Sequence, residues 1–246
     1  MRYLILSDIH ANWEALEAIL ADAGGAYDQV LCCGDLVGYG ADPNAATAWV
    51  RSHAHLVVRG NHDKAAVGSP DLEWFNPAAR EAILWTQREL TPVNAGYLRS
   101  LPQGPLRVDR FQILHGSPLD EDEYLVTTED AARLRGYLAA PVSFFGHTHV
   151  QGGFLIHGHG TQWIEPVAEG QHTREFPLSD NYAALINPGS VGQPRDGDPR
   201  AAYAIYDADD RLVLYKRSAY NVHEAQRKIL AAGLPETLAA RLAVGA

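Results

Sequence analysis

Over the first sixty residues, apolar positions fall into short unbroken runs separated by stretches with helical spacing. Residues 3–6 form a continuous apolar run, as expected of a strand covered on both faces. Asn12 offers an N-cap, Glu14 falls in the first turn, and Trp13, Leu16, Ile19, Leu20 and Ala23 recur at helical spacing until Gly24 and Gly25 stop the helix. Residues 30–33 predict a second strand, Pro43 opens a helix reaching about Arg51, and residues 56–58 predict a third strand. This alternation predicts parallel strands with helices on their faces, an α/β architecture in which ligands gather at the carboxyl ends of the strands.

From residue 70 to about 101 the pattern turns helical and aromatic, with Trp74, Phe75, Trp85 and Tyr97 in a stretch broken at Pro77 and Pro92. Two or three short helices are expected, forming either a cap-like insertion beside a site or a packing layer. The later half differs: apolar runs at 111–114, 142–145, 153–156, 183–186, 203–206 and 212–215 predict antiparallel or mixed sheet. One helix is expected over 128–138, and another from Asn221, whose cap is supported by Glu224 and whose apolar face holds Val222, Ala225 and Ile229. With no internal repeat, low-complexity tract or linker, residues 1–246 read as one domain.

Composition narrows the class. A chain of 246 residues that is 46% hydrophobic and 20% charged can bury a sizeable core, which argues against disorder. Its apolar runs fall far short of the ~20 residues a membrane span needs, and no signal segment precedes them, so a soluble, cytoplasmic protein without membrane partners is expected. The two cysteines, Cys32 and Cys33, are neighbours inside an apolar run and read as core residues rather than a disulfide, redox or zinc motif. A net charge of −10 disfavours nucleic acid as a partner and raises the idea that some carboxylates surround bound cations.

The candidate chemistry lies where the predicted strands end. Asp8 and His10 follow the first, Gly34-Asp35 the second, Gly60-Asn61-His62-Asp63 the third, His115-Gly116 the run at 111, and Gly146-His147-Thr148-His149 the run at 142. If these strands share one mixed sheet, the two carboxylates of Asp8 and Asp35, a carboxamide and five imidazoles gather at one edge. Oxygen and imidazole donors without thiolate suit divalent manganese, iron, zinc or nickel. The i, i+2 spacing of Asp8 with His10 and of His147 with His149 would aim each pair one way if the segments are extended. His53, His55, His157, His159, His172 and His223 lack such company and read as surface residues.

Taken in order, Asp8-x-His10, Gly34-Asp35, Gly60-Asn61-His62-Asp63, His115 and Gly146-His147-x-His149 resemble the signature of the calcineurin-like metallophosphoesterase superfamily. His115-Gly-Ser-Pro and the segment from Asn187 to Arg195 are similar to its small bacterial and archaeal phosphodiesterase-like branch. The resemblance implies a four-layer α/β/β/α sandwich of two mixed sheets carrying two divalent transition-metal ions, manganese foremost. One ion would be held by Asp8, His10, Asp35 and His149, and the other by Asp35, Asn61, His115 and His147, with Asp35 bridging. Such a pair holds a bridging hydroxide as nucleophile, and His62, the histidine outside the ligand set, is placed to protonate the leaving group.

Two departures bear on substrate. Gly38 and Tyr39 stand where phosphatases of the superfamily carry an acidic residue that orients the histidine and an arginine that grips phosphate. That argues against a dedicated phosphoprotein phosphatase, leaves Asp63 as a weak substitute for the acidic residue, and leaves Arg59 and Arg195 as candidates for phosphate contact. The expected activity is hydrolysis of small phosphodiesters or phosphomonoesters, with a metal-dependent nuclease or a catalytically silent scaffold as alternatives. Whether copies of the chain assemble is left open by the sequence.

Overall fold

The computed structural model describes residues 1–68 and 72–246. Its first half contains β1 (Arg2–Leu6), α1 (Trp13–Ala23), β2 (Gln29–Cys32), α2 (Pro43–His53), β3 (Ala54–Val57) and α3 (Asn61–Ala66). A 3₁₀ turn at Leu72–Trp74 precedes α4 (Pro77–Glu89) and α5 (Pro92–Ser100). Then come β4 (Leu106–Val108), β5 (Phe111–Ile113), α6 (Thr128–Arg133), β6 (Val142–Phe144), β7 (Gly152–His157) and β8 (Gly160–Ile164). The chain continues through β9 (Thr173–Pro177), β10 (Ala183–Asn187), β11 (Ala201–Asp207), β12 (Leu212–Ser218), α7 (Val222–Ala231) and α8 (Glu236–Leu242).

The strands form two six-stranded sheets, ordered β3-β2-β1-β11-β12-β9 and β4-β5-β6-β10-β7-β8. Both are mixed: β1, β2 and β3 run parallel, as do β5, β6 and β10, while antiparallel strands complete each sheet. The strand period of two divides the apolar residues between layers. Leu4, Leu6, Val30 and Cys32 pack with Leu16 and Ile19 of α1 and Val50 of α2. Their neighbours Tyr3, Ile5, Leu31 and Cys33 join Phe111, Phe144 and Tyr206 between the sheets. The adjacent cysteines therefore serve opposite faces, both buried as free thiols. Beyond the second sheet, Ala131 and Leu134 meet Phe145, Phe154 and Leu185, completing helix, sheet, sheet and helix layers.

Local capping follows the sequence. The Asn12 side chain accepts from the Ala15 N–H, and Gly24 closes α1 in the left-handed region, where a Cβ would be strained. Asn221 caps α7 by accepting from the Glu224 N–H. The expected helix over 128–138 is shorter, ending at Arg133. Of the expected helical stretch from 70 to 101, residues 70 and 71 lie outside the described residues. The remainder divides its duties: Tyr97, Leu98 and Leu101 pack against the first sheet's outer core, while Trp74, Phe75 and Ala79 line a cleft. No helix among the described residues is long and apolar enough to cross a membrane.

Candidate metal centre

The polar strand tips converge, but from two sheets rather than one. Asp8, His10, Asp35 and the start of α3 arise from the first sheet, whereas His115, His147 and His149 follow β5 and β6 of the second. The two mixed sheets that the resemblance implies are present, and the site sits where their ends face one another rather than along the edge of one shared sheet. Nor are the ligand pairs extended. Asp8, His10, Asp35, His147 and His149 adopt φ of 53°, 48°, 55°, 67° and 61°, the left-handed region that non-glycine residues rarely occupy. Left-handed turns, not pleat alternation, aim these pairs, and backbone strain of this kind persists where surrounding structure enforces it. Gly60 contributes by closeness, since a Cβ there would collide with the Asp35 carboxylate.

Four of the five imidazoles are oriented by backbone carbonyls. His10 Nδ1 donates to Val37 O (2.9 Å), His115 Nδ1 to Cys33 O (2.7 Å) and His149 Nδ1 to Gln193 O (2.7 Å), while His147 uses Nε2 toward Asp122 O (3.1 Å). A carbonyl only accepts, so the proton is fixed on that nitrogen and the other nitrogen is left to bind a cation. His10 Nε2 and His149 Nε2 consequently face each other 3.0 Å apart as two lone pairs, an arrangement a shared cation would relieve. Asp35 Oδ2 lies 3.6 Å from His10 Nε2 and 3.4 Å from His115 Nε2, buried and without a hydrogen-bond partner. His149 Nε2 is 3.5 Å from Asp8 Oδ1, and Asn61 Oδ1 is 3.2 Å from His115 Nε2. The donors form two groups that could each hold an ion, Asp8, His10, Asp35 and His149 in one and Asp35, His115 and His147 in the other. The residues present fit divalent metal.

Burial dominates the electrostatics. It pushes His10 and His149 well below the ordinary histidine range and His147 down to about 3, so these imidazoles are neutral donors. Burial would also lower His115, but the Asp35 and Asp8 carboxylates outweigh it and raise that imidazole to about 10. Asp35 is pushed upward by burial, yet the surrounding imidazoles, His115 foremost, hold it well below the usual carboxylate range. In the metal-free protein His115 therefore carries a proton at neutral pH, which an incoming cation must displace. Apparent manganese affinity should rise with pH, by about tenfold per unit for one displaced proton, when titrated calorimetrically from about pH 7 to about pH 8.5. A pH-independent affinity would contradict this assignment.

His62 stands apart from the donor groups. Its ring packs 4.4 Å from Tyr39, 4.8 Å from His10 and 5.0 Å from Phe75, and its Nδ1 is buried without a partner. A Cβ on Gly38 would collide with that nitrogen, so backbone fills the place where a carboxylate could have oriented the ring. Burial pushes His62 down to about 4 despite the attraction of Asp35. Asp63 does not orient it. Its carboxylate instead accepts from the backbone N–H groups of Asp35 (2.9 Å), Leu36 (2.8 Å), Val37 (3.3 Å) and Gly60 (3.0 Å), clamping the loop after β2 to the start of α3. Asp63→Ala should lower unfolding stability by at least about 3 kcal/mol, because it strands several buried donors. An unchanged denaturant midpoint would show the clamp to be idle.

The two arginines separate clearly. Arg59 is committed to Glu121 through two hydrogen bonds of 2.9 and 2.8 Å, and Lys64 joins Glu121 (3.1 Å) and Asp122 (2.8 Å). Glu121 and Asp122, within the acidic run Asp120-Glu121-Asp122-Glu123, thus hold these two cations. Arg195 has neutral company: it donates to the Tyr39 hydroxyl and to Gln193 Oε1, both at 3.2 Å, while its Nε is buried without a partner. The Tyr39 ring lies beneath it, with the guanidinium carbon 5.7 Å from the ring centre.

Sequence reasoning missed the supports. Asn187 donates to Gly146 O (3.1 Å) and Thr148 Oγ1 (2.9 Å), Ser190 Oγ donates to Asp8 O (2.8 Å), and the Arg195 N–H donates to His149 O (3.1 Å). The segment from Asn187 to Arg195 therefore braces both ligand loops. Most supporting acceptors are main-chain carbonyls, which any residue supplies and no sequence pattern marks. His53, His55, His159, His172 and His223 are exposed and His157 partly so, all away from these groups.

The two mixed sheets, their flanking helices and the Asp/His centre define a metallophosphoesterase fold. The model of the calcineurin-like phosphoesterase superfamily domain matches residues 1–211, and the chain belongs to that superfamily. It is similar to a metallophosphoesterase from Sphaerobacter thermophilus of known crystal structure, with 39% identity, a TM-score of 0.87 and coverage of 100% of this chain and 99% of that one. An uncharacterized protein of Methanocaldococcus jannaschii is 34% identical over 249 residues, covering 98% of this chain and 97% of the relative. A hypothetical protein from Pyrococcus horikoshii shares the fold at 19% identity and a TM-score of 0.78, over 100% of this chain and 98% of its own.

Proposed function

We propose that the protein is a dinuclear-metal-dependent phosphoesterase that hydrolyses small phosphodiesters or phosphomonoesters. The observation that carries this reading is the pair of imidazole lone pairs facing each other beside the unpartnered oxygen of Asp35. By this reading Asp8, His10, Asp35 and His149 hold one ion and Asp35, Asn61, His115 and His147 the other, with Asp35 shared. Manganese heads the metals suited to the donor set, ahead of iron, zinc and nickel. Two divalent ions held there would supply Lewis acidity, neutralising charge on a phosphoryl group and acidifying a water molecule.

The chain's own residues do the rest. Arg195, free of acidic hydrogen-bond partners, binds a phosphoryl oxygen and is steered by the Tyr39 hydroxyl. His62 lines the cleft next to Asn61 and delivers a proton to the departing oxygen. Its burial-lowered pKa leaves it neutral in the free protein, and the negative charge of a bound phosphate raises that pKa, so protonation accompanies binding. Small esters are favoured because Lys64, in the cleft lining, is occupied by Glu121 and Asp122, and Arg59 by the same Glu121, so neither contributes to a basic track for a polyanion. Assays on nitrophenyl mono- and diesters with manganese, with chelator, and against long DNA and RNA test the reading. Turnover of the small esters that chelator abolishes is expected, and faster cleavage of nucleic acid would replace the proposal with a nuclease.

A further inference from the structure

The cleft over the metal centre is more aromatic than phosphoryl chemistry requires. It encloses about 380 Å³, within the range of small-molecule sites, and its lining includes Asn61, His62 and His147, so it opens directly onto the reacting groups. On one wall Tyr39 and Phe75 pack against His62; on the other the Tyr124 ring lies 3.9 Å from the His147 ring, inclined by 35°. Trp74 lines the same cavity with 89% of its surface exposed, and Tyr124 with 50%. An indole packed on almost nothing contributes little to folding, whereas two exposed rings sharing a concavity offer flat faces to a flat ligand.

Charge sharpens the choice. Among the described residues of this lining the one lysine or arginine is Lys64, which is paired with Glu121 and Asp122, so these residues do not build a site for a second phosphate. Asn76 and Asp122 supply the polar edges that would meet ring nitrogens or hydroxyls.

We propose that this cleft is the leaving-group pocket and that the substrates are nucleoside phosphoesters whose base stacks on Trp74 and Tyr124. The inference rests on the phosphoesterase reading for its chemistry. In that hydrolysis the bond between phosphorus and the nucleoside oxygen breaks, the oxygen of one water joins phosphorus, and one proton of that water ends on the departing oxygen. The products are a nucleoside and a phosphate one ester poorer.

Calorimetric titration of the metal-free protein with adenosine 5′-monophosphate and with ribose 5-phosphate isolates the base from the phosphate. The nucleotide should bind more tightly by about 5- to 150-fold, the range that stacking of one base on an aromatic side chain provides. Trp74→Ala should collapse that ratio toward one, and Trp74→Phe should restore most of it; because the indole is exposed, neither change disturbs packing. With the metal-loaded protein, the same variants should raise KM for adenosine 5′-monophosphate or its methyl ester while leaving kcat nearly unchanged. Equal affinity for the two ligands, or a ratio that survives Trp74→Ala, overturns the pocket even if nitrophenyl esters are hydrolysed. A ratio that behaves as expected in a protein hydrolysing no ester supports the pocket and overturns the phosphoesterase reading instead.

Discussion

Replacing Asp35 with alanine is expected to lower phosphoesterase turnover by more than about 10³-fold, the largest effect of any single change in this chain. Its Oδ2 sits between the Nε2 atoms of His10 and His115, and the residue is common to both donor groups. By the proposed reading, losing it would remove an anionic ligand from two ions at once, whereas losing His10 would remove a neutral ligand from one. His10→Ala should therefore retain more activity. Asp35 Oδ1 also accepts from the His62 N–H at 2.9 Å, so Asp35→Asn, which preserves shape and that acceptor, separates lost charge from lost architecture. Kinetics on one diester, with metal content measured for each variant, decide the matter. Mild and equal losses for Asp35→Ala and His10→Ala would dismantle the bridging role.

His62→Ala or His62→Asn should slow hydrolysis of an alkyl ester by about 10²–10⁴-fold, with a much smaller effect on a nitrophenyl ester. An alkoxide departs poorly without a proton, while nitrophenolate is stable enough to leave unaided. Because His62 lies outside both donor groups, metal content should be unchanged. With no carboxylate to orient it and Gly38 at its back, His62 is held by rings: Tyr39, His10 and Phe75. A variant that lost metal, or slowed both esters equally, would make His62 an organiser of the centre rather than its acid.

The candidate site was more legible in the sequence than its geometry. Asp8, Asp35, Asn61, His115, His147 and His149 are polar interruptions at the ends of apolar runs, and the structure brings these residues together. Their conformations were not legible, because left-handed φ at non-glycine residues is imposed by tertiary contacts and contradicts local preference. The division into two sheets escaped the residue pattern for a related reason: a polar strand tip looks alike whichever sheet carries it. Among the strands, β4, β8 and β9 went unread because they lie partly or largely exposed at the sheet edges, without the apolar run that marks a buried strand. Residues 61–63, which follow the third predicted strand, open α3, whose brevity leaves no periodicity to detect. Arg195 and Tyr39, 156 positions apart, could be joined only in the structure.

The number of metal ions bound per chain tests the central claim most directly. Elemental analysis of the protein loaded with manganese and freed of loosely held ions should return two per chain, since the donors divide into two groups sharing Asp35. Fewer than one ion per chain under metal-replete conditions would contradict the dinuclear centre and every role assigned around it.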